Sequence, residues 1–262
     1  MIYFRLDTEE DWQIINDAPK PENGVFETLH FRDGDILLWD LHFKRLIHGL
    51  AKCGIGLPFD IHTLKFKLIE LLEGLDLESA KIKVIFYNKN NSKIFDVEDT
   101  RIKVGVSNLP FSSFKENTEH LYLGIYQKVF LNENSVIKSN NRKIYLEAYQ
   151  FAQENKYDDV VLLDSNKNVC ETTISNIFFV INDKIFTPKL ERYGLKGVMR
   201  QHVITILKEK NYSLFEDDFK INDLKLAEEI FLTNVIRGIR KVKSFEGKEL
   251  ESRVAVQLQN EI

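Results

Sequence analysis

Cysteine is scarce in this 262-residue chain, and the two present, Cys53 and Cys170, form neither a Cys-x-x-Cys pair nor a disulfide framework. The sequence also lacks a Gly-x-Ser-x-Gly elbow, a His-Glu-x-x-His zinc motif and a Gly-x4-Gly-Lys-Ser/Thr phosphate loop. Its six histidines are scattered, and His42 and His48 miss the i,i+4 spacing that grips a metal. Nucleophile–histidine catalysis and metal-dependent hydrolysis therefore have no support. No apolar run approaches the roughly 20 residues that span a bilayer. The amino end, MIYFRLDTEEDW, has neither the basic start nor the apolar centre of a signal peptide. A formal charge of −4 argues against a broad nucleic-acid surface, which needs a basic excess. The expectation is a cytoplasmic soluble protein with no membrane or nucleic-acid partner and no metal.

What is present is an ordinary globular composition, 44% apolar and 29% charged, with 19 Phe and 9 Tyr to fill interiors. The length suits one large or two modest domains. Residues 21–40 read as two strands turned at Arg32-Asp33-Gly34-Asp35. Leu41, Leu46, Leu50 and Cys53 recur at helical intervals before Gly54, and 61–73 is a second amphipathic helix. Strands follow at 81–88 and 101–107. A polar loop at Pro110 and Ser112–Asn117 marks a boundary between two α+β halves, 1–110 and 111–262. Beyond it the pattern predicts a strand at 121–127, a helix over 141–155, and a meander of 159–164, 168–181 and 184–188. Helices at 197–210 and 222–229 and strands at 229–235 and 239–245 complete it.

Three features carry chemistry. Lys138 follows Val136 and Ile137 and precedes Ser139-Asn140-Asn141. A lysine serves as nucleophile or base when partial burial or a nearby cation, here Arg142, discourages its ammonium form. The plainer reading is a surface flank of the 141–155 helix. Glu171, in Cys-Glu-Thr-Thr-Ile-Ser-Asn, is a carboxylate within a strand; it shares a face with Val169 and Thr173, and the local pattern leaves open which face is the core. Gly197, just before a helix, leaves backbone N–H groups that suit an anion, a weak signal by itself.

Taken in order, the pieces GVFETLHFRDGDILLWDLHFKRL (24–46), IKSNNR (137–142), VVLLDSNKNVCETTISNIFFV (160–180), KGVMRQ (196–201) and FLTNVIRGIRKV (231–242) resemble the class IV aminotransferase family of fold-type IV pyridoxal-phosphate enzymes. The resemblance covers nearly the whole chain. It implies a two-domain α+β fold, similar to D-amino acid aminotransferase, with pyridoxal 5'-phosphate in the cleft between a small N-terminal and a larger C-terminal domain. It also implies a homodimer. By the same resemblance Lys138 would hold the cofactor as a Schiff base and shuttle the proton, and Glu171 would face the pyridine nitrogen. Arg45 would clamp the phosphate, joined by the N–H groups of Gly197, Val198 and Met199 and by the turn at Asn234-Val235. Thr28, Asn141 and Arg200 would touch substrate.

Within the family, Lys138-Ser139-Asn140-Asn141-Arg142 and Gly197-Val198-Met199-Arg200-Gln201 are similar to the 4-amino-4-deoxychorismate lyase branch, which releases 4-aminobenzoate and pyruvate in folate synthesis. The tyrosine that branched-chain transaminases place at the Lys143 position is missing, and 81–95 lacks the Arg-x-His carboxylate trap of D-amino acid aminotransferases. The alternatives are an aminotransferase for branched-chain or D-amino acids and a non-catalytic member. Departures from the family pattern, the absent Asp-Arg-Gly before Gly24 and Met199 in place of a phosphate-loop threonine, fall mostly on the substrate side.

Overall fold

Alternating apolar residues build two separate sheets in the computed structural model, which describes residues 1–6, 13–15, 24–89, 95–109 and 120–262. The chain divides into two compact units, Met1–Ser113 with Ile137–Asn141, and Phe114–Val136 with Arg142–Ile262. The boundary loop expected at Pro110 and Ser112–Asn117 lies outside the described residues. Residues 137–141, beyond that boundary in sequence, join the first unit.

The first unit contains β1 (Ile2–Leu6), β2 (Gln13–Ile15), β3 (Gly24–Arg32), β4 (Asp35–Ile36), α1 (Trp39–Cys53), α2 (Ile61–Glu73), β5 (Ser79–Asn88) and β6 (Thr100–Asn108). Its strands run β2-β1-β6-β5-β3-β4, every pairing antiparallel. Asp33 and Gly34 both adopt positive φ, 56° and 78°, as a two-residue hairpin turn requires. Period-two alternation sends Val25, Leu29 and Phe31 of β3 into the core with Leu46, Leu50, Leu64 and Leu68 of the helices. Gly49 permits α1 to approach β3, since a Cβ there would lie 2.9 Å from Val25 Cγ1. Gly54 ends α1 at φ 65°, and the Asp60 side chain caps α2 by accepting from the N–H groups of His62 and Thr63.

The second unit contains β7 (His120–Ile125), α3 (Lys143–Glu154), β8 (Asp159–Leu163), β9 (Val169–Thr172), β10 (Asn176–Ile181), β11 (Lys184–Pro188), α4 (Val198–Glu209), β12 (Leu214–Asp217), α5 (Ile221–Leu226), β13 (Glu229–Asn234), β14 (Gly238–Phe245), β15 (Lys248–Glu249) and α6 (Arg253–Gln259). The strand order is β12-β11-β10-β13-β14-β7-β8-β9, with β15 on β14. The parallel pairs β7/β8 and β11/β12 are joined through α3 and α4, the helical crossovers that parallel neighbours need. The single strand expected over 168–181 is two strands. Thr172 accounts for the break: its N–H and hydroxyl both donate to Ser175 O, and the hydroxyl accepts from Ser175 N–H. Thr173, inside that turn, gives its N–H and hydroxyl to Asp159 Oδ1 at 3.0 and 2.7 Å. A straight strand would forfeit these bonds.

Candidate active site

In the first unit, residues 137–141 lie as an extended segment beside the start of β3. Phe26 N–H donates to Lys138 O and Asn140 N–H to Gly24 O, both at 2.8 Å, and Val25 bridges Ser139. This pairing fixes the Lys138 backbone. Its half-buried side chain runs to the ring of Phe26, with Nζ 4.7 Å from the centroid. Lys83 reaches the same ring, at 4.4 Å, from β5, where it pairs with Thr28. Lys138 is thus partly buried, and a second lysine reaches the same ring.

The opposite face of β3 carries a residue not anticipated from sequence, Glu27. Alternation drives this carboxylate to the helix-covered side, where it is 2% exposed. Arg45 Nε and Nη2 donate to its two oxygens at 2.8 and 2.6 Å, and His42 Nδ1 lies 2.8 Å from Oε2. Burial alone would raise the pKa of Glu27, but the Arg45 charge and the hydrogen bonds from Arg45 and His42 hold it well below the usual carboxylate range. Burial pushes His42 down, so the neutral ring donates from Nδ1 and keeps a lone pair on Nε2. The Nε/Nη2 edge of Arg45 is therefore committed to Glu27.

In the second unit Glu171 sits on β9, 5% exposed, in a strand buried on both faces, with Val169 and Cys170 at 2% and 4%. Tyr145 of α3 donates its hydroxyl to Oε1 at 2.6 Å, and Asn176 Nδ2 approaches Oε2 at 3.4 Å while donating to Leu195 O at 2.8 Å. Burial, reinforced by the Glu171 charge, pushes the Tyr145 phenol far above its ordinary value, so it remains a donor. Arg142 covers the Tyr145 ring at 3.7 Å and donates to Thr173 O at 3.0 Å.

Gly197 precedes α4 with no side chain capping the helix, so the first-turn N–H groups at Val198 and Met199 receive no side-chain acceptor from that position. Glycine is dictated there by crowding: a Cβ would fall 1.9 Å from Asn176 Oδ1. At the end of β13, Asn234 Oδ1 accepts from the N–H groups of Ile236 and Arg237, and its Nδ2 donates to Ser175 Oγ at 3.0 Å. The Asn234-Val235 turn is thereby tied to the turn after β9. Thr233, 1% exposed, keeps a buried hydroxyl without a hydrogen-bond partner. A cradle that excludes a side chain, uncapped N–H groups and an unpaired hydroxyl in one unit suit a bound phosphate.

Lys138, Thr28 and Arg45 thus fall in the first unit with the exposed Asn141, and Glu171, Gly197, Val198, Met199, Asn234 and Val235 in the second. Arg200 also falls in the second unit. It is 3% exposed and spends its guanidinium on Thr187 Oγ1, Pro188 O and Glu216, the last at 2.9 Å. Its work is to join α4 to β11 and β12. Sequence reading also missed Tyr145 and Asn176, the latter signalled by its place five residues after Glu171. Among the described residues no helix is long and apolar enough to cross a membrane, and no cluster of acidic, His and Cys side chains could hold a metal ion.

The model of the family described as amino-transferase class IV matches residues 24–245. An aminodeoxychorismate lyase from Vibrio harveyi is 26% identical over 232 residues, 87% of this chain and 84% of the relative. A probable branched-chain-amino-acid aminotransferase from Rickettsia felis is 25% identical over 229 residues, 85% of this chain and 77% of the relative. The crystal structure of an aminotransferase from Brucella abortus bound to the cofactor PLP superposes with a TM-score of 0.85 at 18% identity, covering 100% of this chain and 97% of that one.

Proposed function

This chain belongs to the amino-transferase class IV family, and from that premise we propose that it is a pyridoxal-phosphate lyase converting 4-amino-4-deoxychorismate to 4-aminobenzoate and pyruvate, a folate-pathway step. The observation that carries the cofactor reading is the seat of Lys138, paired to β3 through its backbone and laid half-buried on Phe26. The lyase branch is favoured by the Lys138–Arg142 run and by the Vibrio harveyi relative.

When bound, the cofactor supplies an electron sink for the carbon that bears the substrate amine. Lys138 would hold it through its amine, and the same amine would serve as the base for the proton on that carbon and as the acid for the departing three-carbon fragment. Aromatisation makes the elimination downhill and no second amino acceptor is needed. Glu171 keeps the ring nitrogen protonated. Val198 and Met199 N–H groups at the start of α4 and the Asn234-Val235 turn hold the phosphate. Arg45 would meet that phosphate with the guanidinium edge not bound to Glu27. Thr28, beside Lys83, and Asn141 face the substrate. The working form is a homodimer, which light scattering tests.

The decisive experiment incubates purified protein, loaded with pyridoxal phosphate, with aminodeoxychorismate and measures 4-aminobenzoate. Product at the level of a Lys138→Ala control overturns the lyase reading. The second reading, an aminotransferase, draws on the Rickettsia felis relative of nearly equal identity. Amino transfer from a branched-chain amino acid to a 2-oxo acid without elimination would favour it.

A further inference from the structure

We propose that Tyr145 is a positioning residue which, by donating its hydroxyl hydrogen to Glu171, decides on which side of the Glu171–ring-nitrogen contact the shared proton rests. The inference depends on the role given to Glu171 above.

A carboxylate facing a pyridine nitrogen shares one proton with it. The proton sits on the nitrogen, where it makes the ring an electron acceptor, or on the carboxylate, where the ring is left neutral. Relative proton affinity decides. Every hydrogen bond donated to the ionised carboxylate stabilises that form and leaves the proton to the nitrogen.

Tyr145 is a strong donor to Glu171. Its 2.6 Å contact falls in the range of hydroxyl–carboxylate bonds assisted by charge, whereas the Asn176 contact is long at 3.4 Å. Both side chains are buried, at 8% and 5% exposure, so water does not compete strongly for either. A lysine or arginine in this place would cancel the carboxylate's charge. A hydroxyl stabilises the charge without cancelling it, so Glu171 can still pair with a ring cation.

The surroundings keep the phenol in that role. Burial and the adjacent carboxylate oppose its ionisation. The Arg142 guanidinium over the ring draws electron density from it and makes the hydroxyl a better donor. Arg142 also donates to Thr173 O, two residues after Glu171, which ties the α3 start to the end of β9. Ala148 and Ala152, fully buried on the same helix face, set α3 against β8. The hydroxyl is therefore aimed by packing.

Tyr145→Phe keeps the ring and removes only the donor. Loaded with pyridoxal phosphate 15N-labelled at the ring nitrogen, the native protein should show the chemical shift of a protonated nitrogen between pH 6 and 9. The variant should move toward the unprotonated value, with kcat lowered about tenfold and KM changed less than about twofold. Glu171→Gln is the control and should lose the protonated signal entirely. A Phe variant with the native nitrogen shift, in a series where Glu171→Gln loses it, overturns the role of Tyr145 and leaves the cofactor assignment intact. A protonated nitrogen in Glu171→Gln overturns the role of Glu171 itself. Should the Phe variant not fold, fluorotyrosine incorporated at 145 keeps the shape and strengthens the donor. It should hold the protonated shift to higher pH than the native protein, and a move the other way overturns the proposal.

Discussion

Replacing Gly197 with alanine puts a methyl group where Asn176 already lies. Gly197 has φ −65° and ψ 142°, a conformation alanine adopts freely, so the backbone contributes no penalty. The Cβ would stand 1.9 Å from Asn176 Oδ1, against the ~3.5 Å at which non-bonded atoms rest. Asn176 must turn away and give up its bonds to Leu195 O at 2.8 Å and Glu171 Oε2 at 3.4 Å. Leu195, Asn176 and Glu171 are all buried, so the abandoned acceptors are not rehydrated at once. A buried polar group left unpaired costs about 1–3 kcal/mol, which in a chain of this size lowers Tm by about 2–12 °C. Urea denaturation of cofactor-free protein measures it, and a double-mutant cycle isolates the cause. Asn176→Ala alone should cost a similar amount, and adding Gly197→Ala to it should then cost under about 0.5 kcal/mol. Equal cost of Gly197→Ala in both backgrounds would refute the steric account.

Glu27→Gln should destabilise the fold by about 3–5 kcal/mol, because Arg45 is left beside a buried neutral amide. The folded pKa of Glu27 is depressed, so its stabilisation is complete above the unfolded value of about 4.3 and fades as pH falls below it. The gap in thermal melts between native protein and variant should be constant from pH 5 to 8 and narrow on acidification; a gap independent of pH contradicts the ion pair. Burial raises the pKa of Asp159, while hydrogen bonds from Thr173 act against the rise. A raised acid is stabilising below its unfolded pKa and loses that contribution as pH rises through the folded value. Thr173→Val should therefore cost about 1 kcal/mol near pH 4 and about 2–3 kcal/mol near pH 8, and a cost that fell with pH would disprove the arrangement. Arg200→Lys should lower Tm by several degrees through loss of its forked contacts, with KM within about twofold. A large KM change at native Tm would return Arg200 to the substrate.

Elements whose periodicity is strong were legible in the sequence. The helix read at 61–73 is α2 to the residue, and the Asp-Gly turn after β3 has the two positive φ values its residues invite. Shorter pieces were not. β12 and α6, at four and seven residues, are too short for a pattern, and α6 is held at its start by Glu229, which accepts from the N–H groups of Val254 and Ala255 across a long sequence gap. The same limit applies to the site. Gly197 announced itself as a glycine before a helix, but its reason is the Asn176 side chain from another strand. Arg200, Glu27 and Tyr145 have partners 12 to 26 residues away. Local spacing cannot name such partners.

Residues 137–141 are borrowed by the first unit from within the span of the second. A polypeptide emerging from the ribosome cannot complete the edge at Gly24–Phe26 until more than a hundred further residues have been made. The amine that would anchor the cofactor thus arrives late, on a thread sewn back into finished cloth. Cutting the gene at residue 113 would leave the first fragment without it, and would leave the second carrying it on a segment stripped of the strand that holds it straight.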